Sequence, residues 1–205
     1  MTPPEKRAAL KLQDGRQLAW SEWGPADGIP VLFCTGAGMS SWLGFGAGDL
    51  ASLNLRLICI DRPGLGSSDP HARKTLSSWA DDVEAFIHAN ALGPVLAVGF
   101  SQGSVFALAL AWRGLVDAIA IVSGQDELTH PSFQSLLHPD VAVMVTAAQQ
   151  DPMGFEQRFA QMATADGLWQ LIMGMSAPCD RQLYESDAFG AAYRQALQEG
   201  FAQGS

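Results

Sequence analysis

Four strongly apolar runs, PVLFC (30–34), LRLICI (55–60), PVLAVGF (94–100) and DAIAIVS (117–123), punctuate the first part of the chain, separated by stretches of helical character. Continuous rather than alternating hydrophobicity belongs to strands covered on both faces, the situation of a parallel sheet flanked by helices. Ahead of them, AALKLQ and RQLAWSEWG alternate around Asp14-Gly15, a dipeptide that favours a tight turn, so the chain is predicted to open with an antiparallel hairpin. Between the second and third runs Trp79, Val83, Phe86, Ile87 and Asn90 follow helical spacing, and Ser78 with Asp81 suggests a capping box at the helix start.

After Ser123 no strand-like run recurs. PDVAVMVTAAQQ, DPMGFEQRFAQMATA and GAAYRQALQEGFAQ read as short helices broken at Pro131, Pro152, Gly167, Gly174 and Pro178. The expected organisation is an α/β core over residues 1–124 carrying a helical cap subdomain over residues 125–205.

The chain's 205 residues, 48% of them hydrophobic, suffice for one sizeable core. A net charge of −9 with lysine only at positions 6, 11 and 74 argues against a nucleic-acid or anionic-lipid partner. Three cysteines, Cys34 and Cys59 in strand-like runs and Cys179 far away, fit reduced thiols and no metal centre. The opening MTPPEKRAAL lacks the apolar core of a signal peptide and no window approaches a membrane span, so a cytoplasmic protein is expected.

The segment VLAVGFSQGSVFALALAW (95–112) carries G-x-S-x-G between a strand-like and a helix-like run. In that setting the serine belongs at a sharp strand-to-helix turn that exposes its hydroxyl as a nucleophile. Side chains two residues before and after would collide with the neighbouring elements, and Gly99 and Gly103 remove them. The Gln102 N–H at the helix start is placed to stabilise an oxyanion, with Ala37 N–H, in the small-residue loop after PVLFC, as second donor. Two blander readings compete: Ser101 as a helix cap, and Gly36-Ala37-Gly38 with Asp61 as a dinucleotide fingerprint. The latter has Ser41 where the third glycine belongs.

Taken in order and spacing, DGRQLAWSEWG, PVLFCTGAG, LICIDRPGLGSSDP and GFSQGS resemble the α/β-hydrolase family over about residues 10–124. The resemblance implies a serine hydrolase with Ser101 as nucleophile, Ala37 and Gln102 as oxyanion donors, and no cofactor. Asp61-Arg62-Pro63-Gly64 matches the turn after the fourth strand, where Asp61 and Arg62 are expected to fix that turn through local hydrogen bonds. Many members carry His-Gly where this chain has Thr35-Gly36.

The family's acid and histidine usually follow on two further strands beyond the helical insertion, and no such strands are legible before FAQGS. The expectation is therefore an α/β-hydrolase fold without its C-terminal strands, its acid and base supplied by a separate C-terminal segment of a nicked or shortened protein. Asp126, just past the fourth apolar run, is the best placed carboxylate within the chain. His88 falls on the helix face opposite the Trp79, Val83, Phe86 and Ile87 stripe and reads as solvated, and His71, His130 and His138 reach Ser101 only by unusual loop paths. Met39, Phe100, Phe155, Trp169 and Met173 are candidates for an apolar pocket accepting a small hydrophobic ester-like substrate. The alternative is a non-catalytic ligand-binding or interaction protein on the same scaffold.

Overall fold

The computed structural model describes residues 2–204. Lys6–Lys11 (β1) and Gln17–Trp23 (β2) form the predicted hairpin, with Lys6 opposite Glu22 and Lys11 opposite Gln17. The apolar runs become Ile29–Cys34 (β3), Leu55–Ile60 (β4), Leu96–Phe100 (β5) and Ala118–Val122 (β6). Among the described residues the strands join one sheet in the order β1-β2-β4-β3-β5-β6. It is antiparallel where β2 meets β1 and β4, and parallel across β4, β3, β5 and β6.

Leu76–Ala89 (α1) connects β4 to β5, and Gly103–Trp112 (α2) connects β5 to β6. The capping box of α1 lies three residues earlier than predicted, at Thr75 and Ser78 in place of Ser78 and Asp81. Thr75 is the N-cap: its hydroxyl accepts from Ser78 N, while Ser78 Oγ accepts from Thr75 N. A serine hydroxyl does here what a longer carboxylate does in the usual box.

Strand alternation divides the core between two layers. Leu32 and Cys34 of β3 and Ile58 and Ile60 of β4 face Trp79, Val83 and Phe86 of α1 and Ala107 and Leu110 of α2. Val31, Phe33, Leu57 and Cys59 face the other way. After β6 come Pro139–Gln150 (α3), Pro152–Met162 (α4), Ala165–Met175 (α5), Pro178–Tyr184 (α6) and Asp187–Gly200 (α7), of which α5, α6 and α7 pack on that second face. Trp169 of α5 and Tyr193, Ala196 and Leu197 of α7 are buried there, whereas α3 and α4 bury no residue.

Two of the predicted helix breaks fall elsewhere. Gly167 and Gly174 lie inside α5, whose N-cap Thr164 accepts from Gly167 N at 3.0 Å. A glycine in the third helical position does not stop a helix whose preceding residue supplies the cap. Pro152 and Pro178 instead open α4 and α6, where a missing N–H costs nothing.

β6 departs from the expectation that each apolar strand is covered on both faces. At the sheet edge, Ile121 and Val122 are 43% and 48% exposed, and on the adjoining α2 Leu108 and Trp112 are 49% and 92% exposed. No further strand among the described residues pairs with its outer side.

The hairpin is tied to the sheet by Glu22, whose carboxylate accepts from Trp20 Nε1 at 2.5 Å, Lys6 Nζ at 2.9 Å and Arg56 Nε at 2.7 Å. Burial works to raise its pKa, but these three donors outweigh it and hold the carboxyl below its ordinary range. The stabilisation is present above the unfolded-state pKa of about 4.3 and lost as pH falls through the lower folded-state value. Glu22→Gln is expected to cost about 2 kcal/mol in urea unfolding at pH 7, with the difference from wild type shrinking by pH 3.

Candidate active site

Ser101 occupies the turn between β5 and α2 with φ at 53°, a left-handed conformation that a non-glycine residue adopts only under constraint. Its N–H donates to Val122 O at 3.0 Å. Its carbonyl accepts from Ser104 N at 3.1 Å, Gln125 N at 3.3 Å and Ser104 Oγ at 2.7 Å. The backbone is thus held from β6, α2 and the following loop at once. The hydroxyl makes no hydrogen bond to another described residue, so the fold has fixed the residue and left its Oγ uncommitted.

The two flanking glycines have the close-approach role expected of them. A Cβ on Gly99 meets Ser104 Cα at 2.7 Å, and one on Gly103 meets the Cys34 carbonyl oxygen at 2.0 Å. The first allows α2 to lie on β5; the second lets its first turn reach the end of β3.

That end leads into Thr35–Ser41, a loop tied down along its length. Arg62 Nη1 donates to Thr35 O at 2.7 Å and Nη2 to Gly36 O at 2.6 Å. Thr35 Oγ1 donates to Met39 O at 3.1 Å, and Ser40 N donates to Ala196 O of α7 at 3.0 Å. Ser41 N donates to the Asp61 carboxylate and the Ser41 and Ser21 hydroxyls share a 2.9 Å hydrogen bond. Asp61 also accepts from Ser67 N at 2.9 Å, and its burial pushes its pKa up. The expectation that Asp61 and Arg62 act locally holds only for the Asp61–Ser67 bond: the other Asp61 oxygen and the whole Arg62 guanidinium reach past their own turn to the loop after β3. Sequence spacing carries no signal for such a contact.

Ala37 and Gln102 are both half-buried, and neither donates its backbone N–H to a protein acceptor among the described residues. The glycine loop opens no helix before β4, which a dinucleotide fingerprint requires. Asp126 lies exposed on the loop after β6, accepting from Glu127 N at 2.7 Å, on the wall of an open cleft of about 410 Å³ shared with Val145, Ala148 and Gln149. His71, His130 and His138 each accept a backbone N–H two residues further on, and His88 is exposed on α1. None of the four is hydrogen-bonded to Ser101.

Of the apolar candidates, Met39 and Trp169 are buried in the second core layer, with Phe100 and Met173 packed against it. Phe155 stands apart, stacked on Phe159 within α4. Unforeseen from the sequence is an aromatic chain running from the elbow into the helices: Phe100 to Phe45 at 5.8 Å, Phe45 to Phe189 at 6.1 Å and Phe189 to Tyr193 at 5.8 Å. Phe100 lies on a strand, Phe45 in a loop and Phe189 and Tyr193 on α7, so no single sequence period links them.

Cys34 and Cys59 project to opposite faces of the sheet, and burial pushes the Cys34 thiol up to about 12. Iodoacetamide at pH 7 is expected to modify one thiol of the native protein, Cys179, and all three in denaturant, as counted by intact mass.

The sequence profile of the alpha/beta hydrolase fold matches residues 29–203. A non-heme chloroperoxidase of Streptomyces lividans is 36% identical over 97 residues, 44% of this chain and 33% of that protein. A proline iminopeptidase of Neisseria gonorrhoeae is 34% identical over 109 residues, 50% of this chain and 34% of that protein. The matched segment thus spans about a third of the length of these relatives. An esterase from Rhodococcus sp. ECU1013 superposes with a TM-score of 0.63 at 20% identity, over 99% of this chain and 70% of its own. No described helix is long and apolar enough to cross a membrane. With the profile running from β3 through α7 and the strained serine standing at the end of β5, the chain belongs to the alpha/beta hydrolase fold family.

Proposed function

We propose that this chain carries the nucleophile and oxyanion donors of a serine hydrolase acting on ester-like substrates with a hydrophobic group. The observation that carries this reading is the backbone of Ser101, held in a left-handed conformation by three elements while its hydroxyl stays free. In the reaction Oγ attacks the acyl carbon, its proton passes to a histidine, and the carbonyl oxygen gathers charge between the N–H groups of Ala37 and Gln102. The tetrahedral intermediate then collapses with cleavage of the C–O bond, the leaving alcohol takes the proton from that histidine, and a water deprotonated by the same histidine hydrolyses the acyl-enzyme to the acid and free Ser101. Phe45, Phe100 and Phe189 offer an apolar surface to the substrate, which favours an uncharged acyl or alkyl group.

The histidine and its acid come from polypeptide other than the described residues, in this reading a segment that pairs with the outer side of β6. Supporting it are the exposed Ile121 and Val122 of that edge, the bare Leu108 and Trp112 on α2, and the local engagement of His71, His130 and His138. An unpaired apolar edge of this kind is a standing invitation to strand addition. The local engagement of those histidines also favours a second reading, a ligand-binding protein that keeps the scaffold without the chemistry.

Two measurements on the protein expressed from its whole gene separate them. Denaturing mass spectrometry is expected to show additional polypeptide, either continuous with this chain or copurifying, that contains a histidine. A fluorophosphonate is expected to label Ser101. A 21.8 kDa species alone that turns over p-nitrophenyl butyrate removes the second segment from the reading, and a protein unreactive at Ser101 removes the hydrolase.

A further inference from the structure

The Thr35–Ser41 loop holds the proposed oxyanion donor Ala37, and this inference rests on the hydrolase reading above. In a trans peptide the carbonyl of one residue and the N–H of the next point in opposite directions across the same rigid plane. Whatever grips the Gly36 carbonyl therefore aims the Ala37 N–H. The grip is Arg62, whose buried guanidinium forks between the Thr35 and Gly36 carbonyls and lies 4.5 Å over the Phe106 ring. We infer that Arg62 is a positioning residue for catalysis, setting the direction of the Ala37 N–H through the Gly36–Ala37 peptide.

Three features support that role over simple packing. Asp61 holds the far end of the loop through Ser41 N and α7 holds it through Ser40 N, so Arg62 grips one end of a loop already fixed at the other. The helix sits close enough that a Cβ on Gly200 would meet Gly38 O at 1.9 Å, which leaves the loop no room to drift outward. A cation on the peptide oxygen also polarises that peptide and strengthens its N–H as a donor. Burial lowers the Arg62 pKa to about 10, so the group keeps its charge at neutral pH. Lysine is a poor replacement, since a single ammonium cannot fork between two carbonyls in one plane.

The test measures kcat and KM for p-nitrophenyl butyrate in Arg62→Gln and Arg62→Lys of the whole gene product, each rate normalised to the fraction of Ser101 titrated by fluorophosphonate. Arg62→Gln is expected to lose on the order of 10²-fold in kcat with KM within about threefold, as for loss of an oxyanion donor. Arg62→Lys is expected to lose about tenfold, and carries the test should the glutamine variant fail to fold. Deuterium uptake over residues 35–42 rises in both. Arg16→Gln, which breaks the ion pair to Asp82, lowers stability and leaves normalised kcat unchanged. A reactive wild type whose Arg62 variants keep normalised kcat overturns the positioning role alone; a wild type unreactive at Ser101 overturns the hydrolase reading and this inference with it.

Discussion

Ser101→Ala in the whole gene product is expected to lower kcat/KM for p-nitrophenyl butyrate by at least about 10⁴-fold, as loss of a serine nucleophile does elsewhere. What remains comes from the oxyanion donors and substrate binding, which the substitution leaves in place. Stability should change by less than about 0.5 kcal/mol, because the hydroxyl has no hydrogen bond to lose and alanine tolerates φ of 53° no better than serine. Ser101→Gly sharpens the point. It is equally inactive, yet relieving a left-handed non-glycine residue is expected to stabilise the fold by about 1 kcal/mol. Opposite signs on activity and stability mark a conformation retained for chemistry, and a glycine variant less stable than wild type would show that the turn is not strained. Steady-state ester hydrolysis and urea unfolding supply both readouts.

Gly103→Ala is expected to be strongly destabilising. The added methyl carbon would fall 2.0 Å from the Cys34 carbonyl oxygen, a contact between backbone segments of α2 and β3 that no rotamer change relieves. Either α2 lifts from the sheet or the end of β3 shifts, and both disturb the buried Ala107 and Leu110 contacts beneath. A loss of about 3 kcal/mol is expected, which lowers Tm by roughly 10 °C in a protein of this size. Gly48→Ala is the control: nothing lies within 4 Å of its Cβ, and a change within about 0.5 kcal/mol is expected. Equal Tm values for the two variants would mean that α2 is free to move away from β3.

The positions of the strands and of the elbow were legible because they follow from local rules. Period and composition mark β3 through β6, Asp14-Gly15 marks the hairpin, and a serine between two glycines marks a crowded turn. Less was legible after β6. Apolar positions there announced helices, but whether a given helix covers the sheet or only its neighbours depends on partners distant in sequence. Trp169 and Tyr193 were no more conspicuous than Phe155, yet the first two are buried beneath the sheet and the third is not. The glycines of α5 misled for a related reason, since a helix stop depends on caps and tertiary support as well as on intrinsic propensity.

By itself the sequence determined the positions of the strands, the mainly parallel sheet, the hairpin and the serine on which the proposed chemistry depends, because each is marked by residues adjacent along the chain. Only the tertiary structure decided that Arg62 grips the loop after β3, that α7 locks that loop from the other side, and that no strand among the described residues covers the β6 edge. Those outcomes are contacts between elements far apart in sequence, created when two surfaces meet, and no local pattern encodes which carbonyl a buried guanidinium will find.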